Sequence, residues 1–133
     1  MLKELNQIVD YIENHLDGDL SAEIISKYAG VSDYHFGKIF FYLSGFTLNE
    51  YIKNRRLSEA SMDLLEGEKV TDVAFKYGYQ SIDGFTRAFK KWSGILPSDV
   101  AKKGVSKFFP KLRFAITVKG GTIMEFRIIE KPA

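Results

Sequence analysis

The sequence predicts a mainly α fold: two helix-turn-helix subdomains joined by a long linker helix, with a short β-prone C-terminal tail. Three observations lead there. The chain matches itself without gaps at an offset of 49 residues, helix-start and helix-stop residues recur at equivalent places in both copies, and a capped helical run connects them. Composition agrees, since 133 residues with 45% hydrophobic and 27% charged side chains describe one ordinary globular body. The absence of cysteine removes disulfides, thiolate metal sites and a cysteine nucleophile. No run reaches the ~18 apolar residues of a membrane span, and the acidic start is no signal peptide, so a cytoplasmic protein without a membrane partner is expected.

Taken in chain order, Leu2, Leu5, Ile8, Val9, Ile12 and Leu16 form one apolar stripe of an N-terminal helix. Ser21 is a good N-cap for the next helix, with Leu20 and Ile25 at hydrophobic-staple spacing, and Gly30 should stop it. Ser32 then caps a second helix ending at Gly45, leaving only the short glycine-bearing connection of a helix-turn-helix. Thr47 to Glu50 is a capping box that opens the linker helix, expected from Leu48 to about Leu65 with Gly67 as its stop. In the second copy Thr71 is expected to cap, with Val70 and Phe75 as staple; Gly78 ends that helix, and Ser81 caps the next, which stops at Gly94.

The self-match falls on core and punctuation positions. Lys27-Tyr28 lies over Lys76-Tyr77, Ser32 over Ser81, Phe36 over Phe85, Lys38 over Arg87, Phe40 over Phe89, and Ser44-Gly45 over Ser93-Gly94. Two copies of one supersecondary unit would share such positions. Phe36, Ile39, Phe40 and Leu43 in one second helix, and Phe85, Ala88, Phe89 and Trp92 in the other, make the inward stripes. Left outside are Tyr34, His35, Gly37, Lys38, Phe41 and Tyr42 in the first, and Ile82, Asp83, Thr86, Arg87, Lys90 and Lys91 in the second.

Charge is segregated although the total is only +2. Acidic stretches 1–26 and 57–75 alternate with basic stretches 27–56 and 76–103, and 104–124 holds no acid. Segregated basic charge suits a polyanion. Lys38 and Arg87 share one repeat position and are residue types that pair with guanine N7 and O6. A linker helix of that length spans ~27 Å, near the ~34 Å of one DNA turn.

Residues from about Leu20 to Ala101 resemble the double helix-turn-helix DNA-binding domain of AraC/XylS-type transcription regulators. The resemblance rests on Val73 to Ser81, Phe85 to Lys91, and Gly94-Ile95-Leu96-Pro97, with Tyr51-Ile52, Arg56-Leu57, Ala60 and Leu64-Leu65 in the linker helix. It implies a bacterial-type regulator, usually an activator working beside RNA polymerase, that binds double-stranded DNA through two adjacent major-groove segments. Base readout would fall to Tyr34, Gly37 and Lys38 in the first unit, and to Ile82, Asp83, Thr86 and Arg87 in the second. Phosphate contacts are expected from Ser32, Ser81, Lys53, Arg55, Lys90 and Lys91, whereas Arg56 matches a position more often tied into the fold. Gly37 and Phe41-Tyr42 depart from the family pattern, the latter standing where the second copy has Lys90-Lys91. That departure keeps open an alternative: a helical protein-interaction module that has lost specific DNA binding.

No enzyme is expected, because no phosphate-cradling loop or catalytic His-carboxylate cluster occurs. Neither His15 nor His35 has a companion at metal-ligand spacing, so no metal or cofactor is expected. The DNA-binding domain should cover 1–103, with 1–46 as first unit, 47–67 as linker helix and 68–103 as second unit. Residues Arg113–Val118 and Thr122–Ile129 read as strands around Lys119-Gly120-Gly121. Met124–Ala133 is similar to the opening strand of a GyrI-like effector domain, so 104–133 is expected to be a linker and the start of a truncated C-terminal domain. A small-molecule effector is expected only where that domain is complete.

Overall fold

Hydroxyl caps and left-handed glycines cut the first 104 residues into seven helices in the computed structural model, which describes residues 2–30, 33–119 and 122–131. Side chains at 22, 26, 29, 33 and beyond 115 lie outside the description, as does the expected Ser32 cap. The helices are α1 (Leu2–Asn14), α2 (Ala22–Ala29), α3 (Asp33–Ser44), α4 (Leu48–Leu65), α5 (Val70–Lys76), α6 (Ile82–Ser93) and α7 (Pro97–Lys103). Two antiparallel strands follow, β1 (Lys111–Lys119) and β2 (Thr122–Lys131), with an irregularity in register between Thr117 and Val118. The chain divides into two compact units.

The first unit comprises Met1–His15, Leu20–Ile52 and Pro110–Ala133. Of the expected α1 stripe, Leu5, Ile8, Val9 and Ile12 are buried, as are Ile25, Phe36 and Phe40 of the same unit, whereas Leu2 is half-buried and Leu16 falls beyond the end of α1. The Ser21 hydroxyl accepts from Ile24 N at 3.2 Å, so Ser21 caps α2. The Thr47–Glu50 box closes in both directions, Glu50 N to Thr47 Oγ1 at 3.1 Å and Thr47 N to Glu50 Oε1 at 2.8 Å. The two expected strands pair and group with this unit, where Leu112 and Phe114 are buried; the expected turn at Gly120-Gly121 lies outside the described residues. Phe114 packs edge-to-face on Phe40 with centroids 5.8 Å apart. Its backbone is gripped twice by one side chain: Asn6 Nδ2 donates to Phe114 O, and Phe114 N donates to Asn6 Oδ1, both at 2.8 Å. Leu112 N donates to the buried Tyr51 hydroxyl at 3.1 Å. A two-stranded ribbon is marginal by itself, and these anchors supply what it lacks.

The second unit comprises Leu16–Asp19 and Lys53–Phe109. Along α4 the residues Leu57, Ser58, Ala60, Ser61 and Leu64 are buried, so this helix is covered on more than one side. Small hydroxyls there let other chain segments approach: Phe109 N donates to Ser58 Oγ at 2.9 Å, and Ser61 bonds Ser106. Thr71 is not a cap. The cap position is Lys69, with no side-chain bond, and Phe75 is 54% exposed, so the expected staple does not form. The Ser81 hydroxyl does cap α6, accepting from Gly84 N at 3.0 Å. Pro97, whose fixed φ suits a first helical turn, starts α7, and Val100 is fully buried.

The repeat extends to a bond pattern. Ser44 Oγ donates to Phe40 O at 2.6 Å and accepts from Phe46 N at 3.0 Å; Ser93 does the same with Phe89 O and Ile95 N at 2.8 and 3.2 Å. Gly45 and Gly94 follow at φ 82° and 84°, values that a side chain would strain. The shared Ser-Gly pair is therefore a duplicated helix stop.

Candidate nucleic-acid interface

α6 is amphipathic by construction. Phe85 and Phe89 are buried, and the Trp92 indole donates to Asn54 Oδ1 at 2.8 Å, which fixes the inward stripe. The other face carries Ile82, Asp83, Arg87, Lys90 and Lys91, all exposed, with Thr86 half-buried beside them. Lys90 and Lys91 lie in the last turn, where cations complement the helix dipole. Among the described residues no ion pair joins Asp83 to Arg87, so the arginine is not locked to its own helix.

α3 has the same plan with different chemistry. Phe36 and Phe40 point inward, while Tyr34, His35, Lys38, Phe41 and Tyr42 are exposed. Gly37 sits among them, and a Cβ built there would meet nothing within 4 Å. Lys38 Nζ lies 4.8 Å from the centre of the Tyr34 ring, a cation–π contact that leans the lysine toward the helix N-terminus. An open groove of about 1050 Å³ runs along this face, lined by Gly37, Lys38, Phe41, Tyr42 and Gly45, with Ile39 and Leu43. Among the described residues Lys38 is its only charged lining residue.

Of the expected phosphate partners, Ser81, Lys53, Lys90 and Lys91 are exposed and Ser32 lies outside the described residues. Arg55 is a correction. It is 1% exposed, its guanidinium donates to Phe109 O, and Glu59 lies 3.5 Å away, so it faces the core and cannot reach a duplex. The signal was present in spacing: Arg55 falls four residues after buried Tyr51 and three before buried Ser58. Arg56 is structural as well, donating to Leu16 O at 2.9 Å and Gly18 O at 2.7 Å. Partial burial draws its guanidinium down from its ordinary pKa, and burial pushes the neighbouring Tyr79 phenol up.

Sequence spacing missed an acidic cluster of Asp63, Glu66 and Glu68, whose carboxylate oxygens lie within 4.8 Å of one another. Asp63 is already engaged, accepting from Lys76 Nζ at 2.9 Å and from the Tyr77 hydroxyl at 2.7 Å. Those bonds raise the Lys76 ammonium, while burial chiefly and Asp63 in addition raise the Tyr77 phenol.

Residues 25–103 match the family model described as a helix-turn-helix domain. The chain is 35% identical over 95 residues to the HTH-type transcriptional activator AarP of Providencia stuartii, covering 71% of this chain and 70% of that protein. It belongs to the AraC/XylS-type helix-turn-helix family. The multiple antibiotic resistance protein MarA of Escherichia coli is 33% identical over 94 residues, 70% of this chain and 74% of MarA. Among solved structures, an AraC-type DNA-binding domain-containing regulator from Chromobacterium violaceum superposes with a TM-score of 0.71 at 22% identity, over 76% of this chain and 91% of that one. The DNA-binding domain of AdpA, solved with a target DNA, superposes with a TM-score of 0.68 at 22% identity over 74% and 90%. These likenesses show the AraC-type fold, mainly α, in this chain. Among the described residues no helix is long and apolar enough to cross a membrane.

Proposed function

We propose that the chain is a sequence-specific, DNA-binding transcription activator whose two second helices, α3 and α6, enter successive major-groove segments. The observation that carries this reading is the α6 face: a capped, core-anchored helix presenting Ile82, Thr86 and an unlocked Arg87 toward its N-terminal half, with Lys90 and Lys91 behind them. Base edges are met by the N-terminal part of such a helix, and cations further along meet phosphates. Arg87 pairs with a guanine, Asp83 and Ile82 bound the same readout, and Lys38 does for α3 what Arg87 does for α6. Ser81, Lys53, Lys90 and Lys91 position the backbone, with Ser32 assigned there by repeat position alone. An activator role rests on the relatives' names and would bring RNA polymerase as second partner. Residues 1–103 form the DNA-binding domain in this reading, and an effector remains tied to a complete C-terminal domain beyond it.

Selection from a random duplex pool tests the reading. A recovered motif supports it, and Arg87→Ala should then weaken binding by about 1–3 kcal/mol and relax one base position. Equal weakening on random and selected duplexes would remove Arg87 from base readout. The apolar groove on α3 favours the second reading, a protein-interaction module, which would enrich no motif.

A further inference from the structure

We propose that α3 reads its half-site by apolar contact with thymine methyl groups, with Tyr34, Gly37 and Phe41 as the reading surface. The inference rests on the DNA-binding reading above and goes beyond it, because Phe41 has no role there. Tyr34 and Phe41 stand seven residues apart on the exposed face, with Gly37 between them. At 1.5 Å per residue the two positions are ~10.5 Å apart along the helix axis, about three base steps. Gly37 leaves a notch between them, open to 4 Å and not required by any left-handed backbone. In the major groove the one apolar projection on a base edge is the C5-methyl of thymine. A ring, a notch and a ring is a surface that such methyls fill.

The contrast within the molecule strengthens the case. At the repeat positions of Lys90 and Lys91, where α6 offers phosphate contacts, α3 offers Phe41 and Tyr42, 53% and 87% exposed. Aromatic surface of that extent facing only water is unfavourable, and the helix face it occupies is the one the family turns to DNA. A small ligand fits the groove less well, since such sites enclose most of their occupant. Here all described lining residues come from α3 and the glycine that follows it, with no second element to close over an occupant.

Deoxyuridine pairs as thymidine does and lacks only the methyl. The full chain, Phe41→Ala and Gly37→Ala are titrated against a duplex recovered from the random pool, with each thymidine in turn replaced by deoxyuridine. At one or more positions the replacement should weaken the unaltered chain about fourfold, the factor for one buried methyl-sized group. The same replacement should be neutral for Phe41→Ala. Gly37→Ala should lose the discrimination while melting higher, because alanine favours the helix and fills the notch. The proposal is overturned if no position loses its sensitivity in Phe41→Ala. It is equally overturned if Phe41→Ala leaves DNA binding intact but abolishes self-association in sedimentation, which would make the groove a contact between copies. Failure to enrich any motif sinks the DNA-binding reading itself, a different result from a motif indifferent to methyl removal.

Discussion

Arg55→Met distinguishes a core role from a phosphate role, because the two leave different signatures. Methionine keeps most of the stem volume, so the loss is polar. The guanidinium hydrogen bond to Phe109 O comes from a charged donor in a site 1% exposed, and such bonds contribute about 1.5–3 kcal/mol. The ion pair to Glu59 adds to this, because the Oε2 that faces the guanidinium is itself buried although the Glu59 side chain as a whole is 32% exposed. Together they predict a loss of about 2–3 kcal/mol, which for a chain of this size lowers the melting point by about 8–12 °C. Thermal melting reads that term, and DNA affinity titrated against salt reads the other. The slope of log K against log salt should not change. A slope smaller by about 0.9 with an unchanged melting point would mean that Arg55 neutralises a phosphate, and the burial argument would fail.

Lys90→Ala should lower that slope by about 0.9 while keeping the preferred motif; an unchanged slope removes Lys90 from the phosphate set. Phe114→Ala should cost about 3–5 kcal/mol in thermal melting, since it deletes a buried ring against Phe40; a loss below about 1 kcal/mol would show that the hairpin adds nothing to the first unit's core. Tyr77→Phe tests the alkaline limb of stability. Burial and Asp63 hold the Tyr77 phenol above its ordinary pKa of 10.0, so its contribution is complete below that pH and is lost as pH rises beyond it. Phenylalanine should cost about 1 kcal/mol at neutral pH and flatten the decline above pH 10, although Lys76, also raised, declines in the same direction. An equal alkaline decline in both proteins would contradict the assignment.

The features legible in the sequence are those that close within a few residues. Ser21, the Thr47–Glu50 box, Ser81 and the glycine stops satisfy helix ends locally, so spacing alone locates them. Thr71 misled because a hydroxyl just before an apolar run resembles a cap, yet the backbone turns in two residues earlier at Lys69. Arg55 departs from expectation for a different reason. Its partner Phe109 lies 54 positions along the chain, and only that encounter turns an apparent surface cation into a core residue. The exposed faces of α3 and α6 followed from periodicity, because a buried stripe fixes what is left over. The groove along α3 did not, since a cavity is a property of surfaces rather than of spacing.

The double grip of Asn6 on Phe114 and the Tyr51 hydroxyl on Leu112 have a consequence for how the protein behaves in crowded solution. A bare strand margin offers donors and acceptors to any extended segment that drifts alongside, which is how fibre growth is seeded. On β1 the outward donors at residues 112 and 114 are already spoken for by side chains of the same molecule. An incoming strand would have to evict them before it could add a rung.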